Sequence, residues 1–196
     1  MRVYSSSQAI HEAFALGFRA RGQDIKKMLS MDFKSTRGSR DMNWQHVDKL
    51  AAGLIMDALS SLPAHLQDWA VWCHGPRIEE YLPEQGRFFA WLNDDVAIRL
   101  LESERAYRPG TAAKVRDVVA YAVLDYRSYT TTGRHEYSVK RICKECGIVQ
   151  NNWHRDFKTW HDYGWTLCDR LDAKVLPVVG KVVRRINFDP RGAGRF

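Results

Sequence analysis

The segment YSVKRICKECGIVQNNWHRDFKTW, from Tyr137 to Trp160, constrains the fold more than any other part of the chain. Its apolar residues keep helical spacing on both sides of one glycine. Ile142 and Cys143 give a first helix an apolar residue followed by a small one. Gly147 falls where the backbone must leave that helix in a left-handed conformation, which glycine adopts without steric cost. Ile148 fills the corner, and Trp153, Phe157 and Trp160 recur at i, i+4 and i+7 on the inner face of a second helix. The pattern predicts a helix-turn-helix. Left outside are Gln150, Asn151, Asn152, His154, Arg155 and Lys158, side chains that hydrogen-bond to base edges and phosphates. The competing reading is a helical hairpin whose exposed face is merely polar.

Charge bears on that choice. The net charge is +7, and residues 1–100 carry 12 Lys/Arg against 12 Asp/Glu while residues 101–196 carry 18 against 11. All of the excess therefore lies in the half that holds the helix-turn-helix pattern, the footprint expected of phosphate contact. A hydrophobic content of 45% and a charged content of 27% are those of a soluble globular protein. No apolar run approaches the roughly 20 residues of a membrane span, and no basic segment followed by a hydrophobic core opens the chain. A cytoplasmic location without membrane contact is expected.

The rest reads as mainly α: a helical bundle with a C-terminal helix-turn-helix and a basic, partly extended tail. Residues 1–108 form a helical N-terminal region for protein contacts, 109–173 the DNA-binding region and 174–196 a basic arm. Ser7 is placed to cap a helix towards Arg21 carrying Ile10, Phe14, Leu16 and Phe18. A short helix is expected around Ile25 to Met31, and a mobile basic loop from Asp32 to Met42. Trp44, Val47, Ala51, Leu54, Ile55, Ala58 and Leu59 make one stripe. Pro63 opens a helix bearing Leu66, Trp69, Ala70 and Trp72, which Gly75 and Pro76 stop. One long helix, or two joined near Asn93, follows, its Phe88, Phe89 and Trp91 read as core.

Pro109 and Gly110 mark a boundary, after which Thr111 caps a helix through Val115, Val118, Val119, Ala122, Val123 and Tyr126. Gly164 is expected to interrupt the second helix of the motif. Val175 to Val183, β-branched and broken by Pro177 and Gly180, suggests a hairpin or extended arm. Residues 189–196 are expected to be disordered in the free protein.

Within the motif, Gln150, Asn151 and Asn152 are suited to adenine and Arg155 to guanine, whereas Lys140, Arg141, Lys144 and Lys158 are suited to phosphates. His154 is divided between DNA contact and solvation. Cys143 and Cys146 have the spacing of half a zinc site, whose second half would come from His154 with His161 or Cys168. Packing is the favoured reading of that pair, with reduced thiols and no cofactor. Glu79 with Glu80, and Asp94 with Asp95, are adjacent carboxylates that diverge on a helix, and Trp72-Cys73-His74 is explained by a helix end. No enzyme is expected.

VRDVVAYAVLDY followed by VKRICKECGIVQNNWHRDFKTW and a basic tail resembles region 4 of sigma factors as it occurs in small phage transcription regulators. Over residues 113–172 the arrangement is similar to the Q-type late-gene antiterminators. The resemblance implies a protein of the bacterial cytoplasm that binds double-stranded DNA near a late promoter. It also implies that the protein engages paused host RNA polymerase and lets it pass terminators. One Q type holds zinc on paired C-x-x-C motifs in an inserted loop; this chain has only Cys143 and Cys146, inside the helix-turn-helix itself. Different expectations are a structural DNA adaptor such as a small terminase subunit, a simple repressor or activator, a motif used only for protein contact, and a nuclease with converging acids.

Overall fold

The structure, a computed structural model, describes residues 5–22, 40–76 and 82–188. Every element among them is helical: α1 (Ser6–Gly22), α2 (Arg40–Ser60), α3 (Ala64–Trp69), α4 (Leu82–Glu102), α5 (Pro109–Thr132), α6 (Val139–Glu145) and α7 (Lys158–Phe188). A π-helical turn, Ala70–His74, continues α3, while a 3-10 turn, Gln150–Asn152, and a π-helical turn, Trp153–Phe157, lead into α7. The chain forms two compact units, Met1–Tyr81 with Lys174–Phe196, and Leu82–Ala173. The expectations for residues 25–31 and 189–196 and for Glu79 and Glu80 lie outside the described residues, as does the burial of the Leu16, Phe18, Trp44 and Val47 side chains, whose backbone is helical. The loop expected over 32–42 does so too, except that Arg40 to Met42 already belong to α2.

In the first unit α1 packs on α2 and on the turn that ends α3. Ala9, Ile10, Ala13 and Phe14 are buried from α1, and Ala51, Ala52, Ile55 and Leu59 from α2. Leu54, expected in that stripe, is 46% exposed; Ala52 takes its place in the core. The cap of α1 is Ser5, whose Oγ accepts from the Gln8 amide at 3.1 Å. Ser7 instead meets the buried His74 through its hydroxyl, Oγ to Nδ1 3.0 Å.

In the second unit α4 is one unbroken helix burying Phe88, Leu92 and Val96 at a spacing of four. α5 starts two residues before its expected cap. Pro109 sits in its first turn behind Arg108, because the first amides of a helix have no partner to lose and proline pre-sets the helical φ. The expected valine stripe, Val115, Val118, Val119, Ala122 and Val123, is fully buried with Tyr126 beside it. The helix ends at Gly133, whose φ of 70° places it in the left-handed region.

Two expectations about α7 are corrected. Gly164 does not interrupt it: a Cβ built there would stand 2.7 Å from the Ala122 Cβ and 3.3 Å from the Val119 carbonyl oxygen. The glycine lets α7 lie against α5. Nor is 175–183 a hairpin or extended arm, since α7 continues through it. Leu171, Val175 and Val179, spaced by four, are all buried, and tertiary burial outweighs β-branched propensity. Pro177 removes the hydrogen bond to the Ala173 carbonyl, but both residues are on the exposed face, where that oxygen is open to solvent.

Candidate nucleic-acid interface

The approach to the motif is held by a carboxylate that no sequence pattern singles out. Asp125, 2% exposed on α5, accepts from the backbone amides of Glu136 and Tyr137 at 2.7 and 2.9 Å, and its other oxygen meets His135 Nδ1 at 2.7 Å. Three consecutive residues are thereby tied to α5 just before α6 begins. Ser138 then caps α6, its hydroxyl accepting from the Arg141 amide at 3.3 Å.

The exit from α6 has the full pattern of a glycine-terminated helix. Gly147 has a φ of 59°, its amide donates to the Lys144 carbonyl at 3.3 Å, and the Ile148 amide donates back to the Cys143 carbonyl at 2.7 Å. Ile148 is buried, as the corner residue must be. Lys114 of α5 reaches across to donate to the Gly147 carbonyl at 2.5 Å. An added Cβ at Gly147 would meet nothing closer than the Lys114 Nζ at 3.8 Å, so a side chain there is opposed by backbone conformation rather than by crowding. Gly147→Ala is accordingly expected to cost about 1–2 kcal/mol in thermal or urea unfolding, and Gly147→Asn less. Equal losses would show that space, not φ, sets the requirement.

Beyond the turn, Trp153, Phe157 and Trp160 are buried together, at 3%, 5% and 7% exposure. The second helix is less regular than its spacing suggests, beginning with a 3-10 turn and a π-helical turn before it becomes α-helical at Lys158. Its outward residues are exposed as expected, with Asn152 the exception. Lys140, Arg141 and Lys144 on α6 are exposed, as are Gln150, Asn151, His154, Arg155 and Lys158; Asn152 is half-buried. Val149, just before the 3-10 turn and not expected to matter, is 65% exposed.

Several of the charged residues are already engaged. The Arg141 guanidinium lies 4.5 Å from the Tyr137 ring centroid and donates to the Glu136 carbonyl at 3.3 Å. Lys158 pairs with Asp162 one turn on, at 2.5 Å. Arg155 is spread over Asp156 and Asn152: Nε and Nη2 donate to the two Asp156 oxygens at 3.1 and 2.9 Å, and Nη2 also donates to Asn152 Oδ1 at 3.2 Å. Arg105, from the connection between α4 and α5, reaches the same carboxylate at 2.8 Å. The Arg155 hydrogen bond, reinforced by Arg105, holds the Asp156 carboxyl well below its ordinary range, at about 2. A groove of about 590 Å³ opens beside this cluster, lined by Arg99, Tyr107, Arg155, Asp156, Trp160 and Arg170 among others. Arg105 and Asp156 are missed by the sequence reading; the Arg-Asp adjacency at 155–156 is a signal for Asp156, and Arg105 has none.

Cys143 and Cys146 are both buried, free thiols. Burial pushes the Cys143 thiol above its ordinary value, and burial with the Asp117 carboxylate takes Cys146 up to about 11. His161, the expected contributor of a second half-site, packs its ring edge-on against Trp153 at 5.6 Å, and burial lowers its pKa. Cys168 is fully buried. Among the described residues, no three His, Cys, Asp or Glu side chains gather where they could hold a metal ion.

The family described as phage antitermination protein Q matches residues 38–188, which takes in all of this geometry and most of the chain. The chain belongs to that family. It is thereby placed among bacteriophage transcription-antitermination proteins, as the resemblance over residues 113–172 implied. Comparison with curated proteins and with solved structures returns no match. No described helix of this Q-family chain is long and apolar enough to cross a membrane.

Proposed function

We propose that the chain is a DNA-binding antitermination factor that acts on host RNA polymerase in the bacterial cytoplasm. The observation that carries the DNA-binding part is the turn at Gly147. A left-handed glycine, a buried corner and a buried aromatic face leave an edge outside that is mostly polar and basic, with Val149 exposed beside it. In this reading Gln150, Asn151, Asn152 and His154 approach base edges, while Lys140, Arg141, Lys144 and Lys158 contact phosphates, with Arg155 between the two sets. Arg141 and Lys158 give up weak, solvent-exposed partners to do so, at little cost. The neutral N-terminal region and the C-terminal residues supply surfaces for polymerase. Family membership favours this over a packaging adaptor or a simple repressor.

The test is selection of random duplexes by the full chain. Asn151→Ala is expected to relax preference at one base pair by about fivefold to 150-fold, the equivalent of about 1–3 kcal/mol. Lys144→Gln is expected to weaken all duplexes alike and flatten the salt dependence by about one unit. Equal losses for both variants on every sequence would sink the base-reading assignment. Recovery of RNA polymerase subunits from host lysate should survive nuclease treatment; recovery that depends on nucleic acid would sink the polymerase contact.

A further inference from the structure

The Arg155 guanidinium has five N–H donors, and their accounting decides what it can do. Nε spends its hydrogen on Asp156 Oδ1, while Nη2 spends one on Asp156 Oδ2 and one on Asn152 Oδ1. Only Nη1 is left. Bidentate recognition of guanine needs donors on two nitrogens, one for O6 and one for N7. The carboxylate that holds Arg155 is itself held, because Arg105 reaches it at 2.8 Å from outside the motif. The neighbouring Tyr107 docks one turn further on, at the start of α7, its hydroxyl accepting from Trp160 Nε1 at 3.0 Å. The Asp156 side chain is 10% exposed and those of Arg105 and Arg155 are 52% and 70% exposed, so the hold on Arg155 comes from three hydrogen bonds converging on it rather than from exclusion of water.

We propose that Asp156 is a specificity-determining positioning residue: it fixes Arg155 so that this arginine meets a phosphate through Nη1 and is withheld from reading guanine. The inference rests on the DNA-binding function proposed above. Sequence reading then falls to the neighbouring polar residues, and two guanidinium groups near the duplex act through a single excess charge. Replacing the carboxylate by an amide removes the charge and leaves one acceptor where two stood, so the Nε and Nη2 edge of Arg155 is no longer held at both nitrogens and can turn to a guanine.

The full chain, with Asp156→Asn and Arg155→Gln, is to be put through selection on random duplexes, with binding then measured across a range of salt. The wild type is expected to enrich a sequence. Arg155→Gln should enrich the same sequence, with weaker binding to all duplexes and a salt dependence flatter by about one unit. Asp156→Asn should bind all duplexes more tightly and acquire a new guanine preference of about fivefold to a hundredfold at one position. Loss of a guanine preference in Arg155→Gln would overturn the proposal, because Arg155 would then already be a base reader. So would an unchanged preference in a folded Asp156→Asn. Circular dichroism establishes that the variant is folded; if it is not, the Arg155→Gln result decides alone. Failure of the wild type to enrich any sequence would overturn the DNA-reading function and the clamp with it. Enrichment with an unaltered Asp156→Asn would overturn the clamp only.

Discussion

Gly164→Ala is expected to destabilise the protein, although alanine is the better helix former by about 1 kcal/mol. The sign follows from space. The new methyl would stand 2.7 Å from the Ala122 Cβ, and the Val119 carbonyl oxygen lies 3.3 Å away. Neither is the far end of a flexible side chain, so α5 and α7 must part or bend. Overpacking of this kind costs about 1–3 kcal/mol, enough to outweigh the propensity gain and lower the thermal midpoint by several degrees. Ala122→Gly placed in the same chain removes one of the two colliding methyls. The double variant is expected to melt above Gly164→Ala, though below the wild type, because a glycine then sits in α5 at its own entropic cost. A midpoint that rises on Gly164→Ala alone would show that the crossing is not close.

Asp125→Ala is expected to have the larger effect, about 2–4 kcal/mol. It removes an acceptor of three hydrogen bonds that is 2% exposed and strands the amides of Glu136 and Tyr137. Asp125→Asn keeps one oxygen for the two amides and should lose less than half as much. Amide hydrogen exchange gives the test its location. Protection should fall first at residues 136–142, where the chain enters α6, and only later in α5. Uniform loss across the unit would mean that Asp125 supports the core and not the motif's entrance.

Burial with a period was legible in the sequence; groups that act through tertiary partners were not. The valine stripe of α5, the aromatic face at Trp153, Phe157 and Trp160, and the glycine turn are local patterns that one helix or one turn can satisfy by itself. Pro177 and Gly180 misled because helix-breaking tendency was weighed without knowing which face they occupy. Proline on the exposed side leaves its orphan carbonyl to water, and the buried Val175 and Val179 hold the helix together. Gly164 misled for a related reason, since a glycine that ends a helix and one that admits a neighbouring helix look alike until Ala122 is seen beside it. In the interface, the exposed side chains were read from helical position alone. Their commitments were hidden, because Arg105 lies some fifty residues from Asp156 and no spacing rule joins them.

The buried thiols of the motif have a practical meaning. Cys143 is in the last turn of α6 and Cys146 is its final cap, and they are 4% and 8% exposed with thiols that resist ionisation at neutral pH. An alkylating reagent therefore modifies them only when the turn at Gly147 opens. The rate of that modification, compared with the rate for an unfolded peptide of the same sequence, measures how often the turn comes apart within an otherwise folded molecule. The chain thus carries its own reporter at the corner on which its recognition surface is built, and bound DNA should slow that reaction in proportion to how firmly it holds the corner closed.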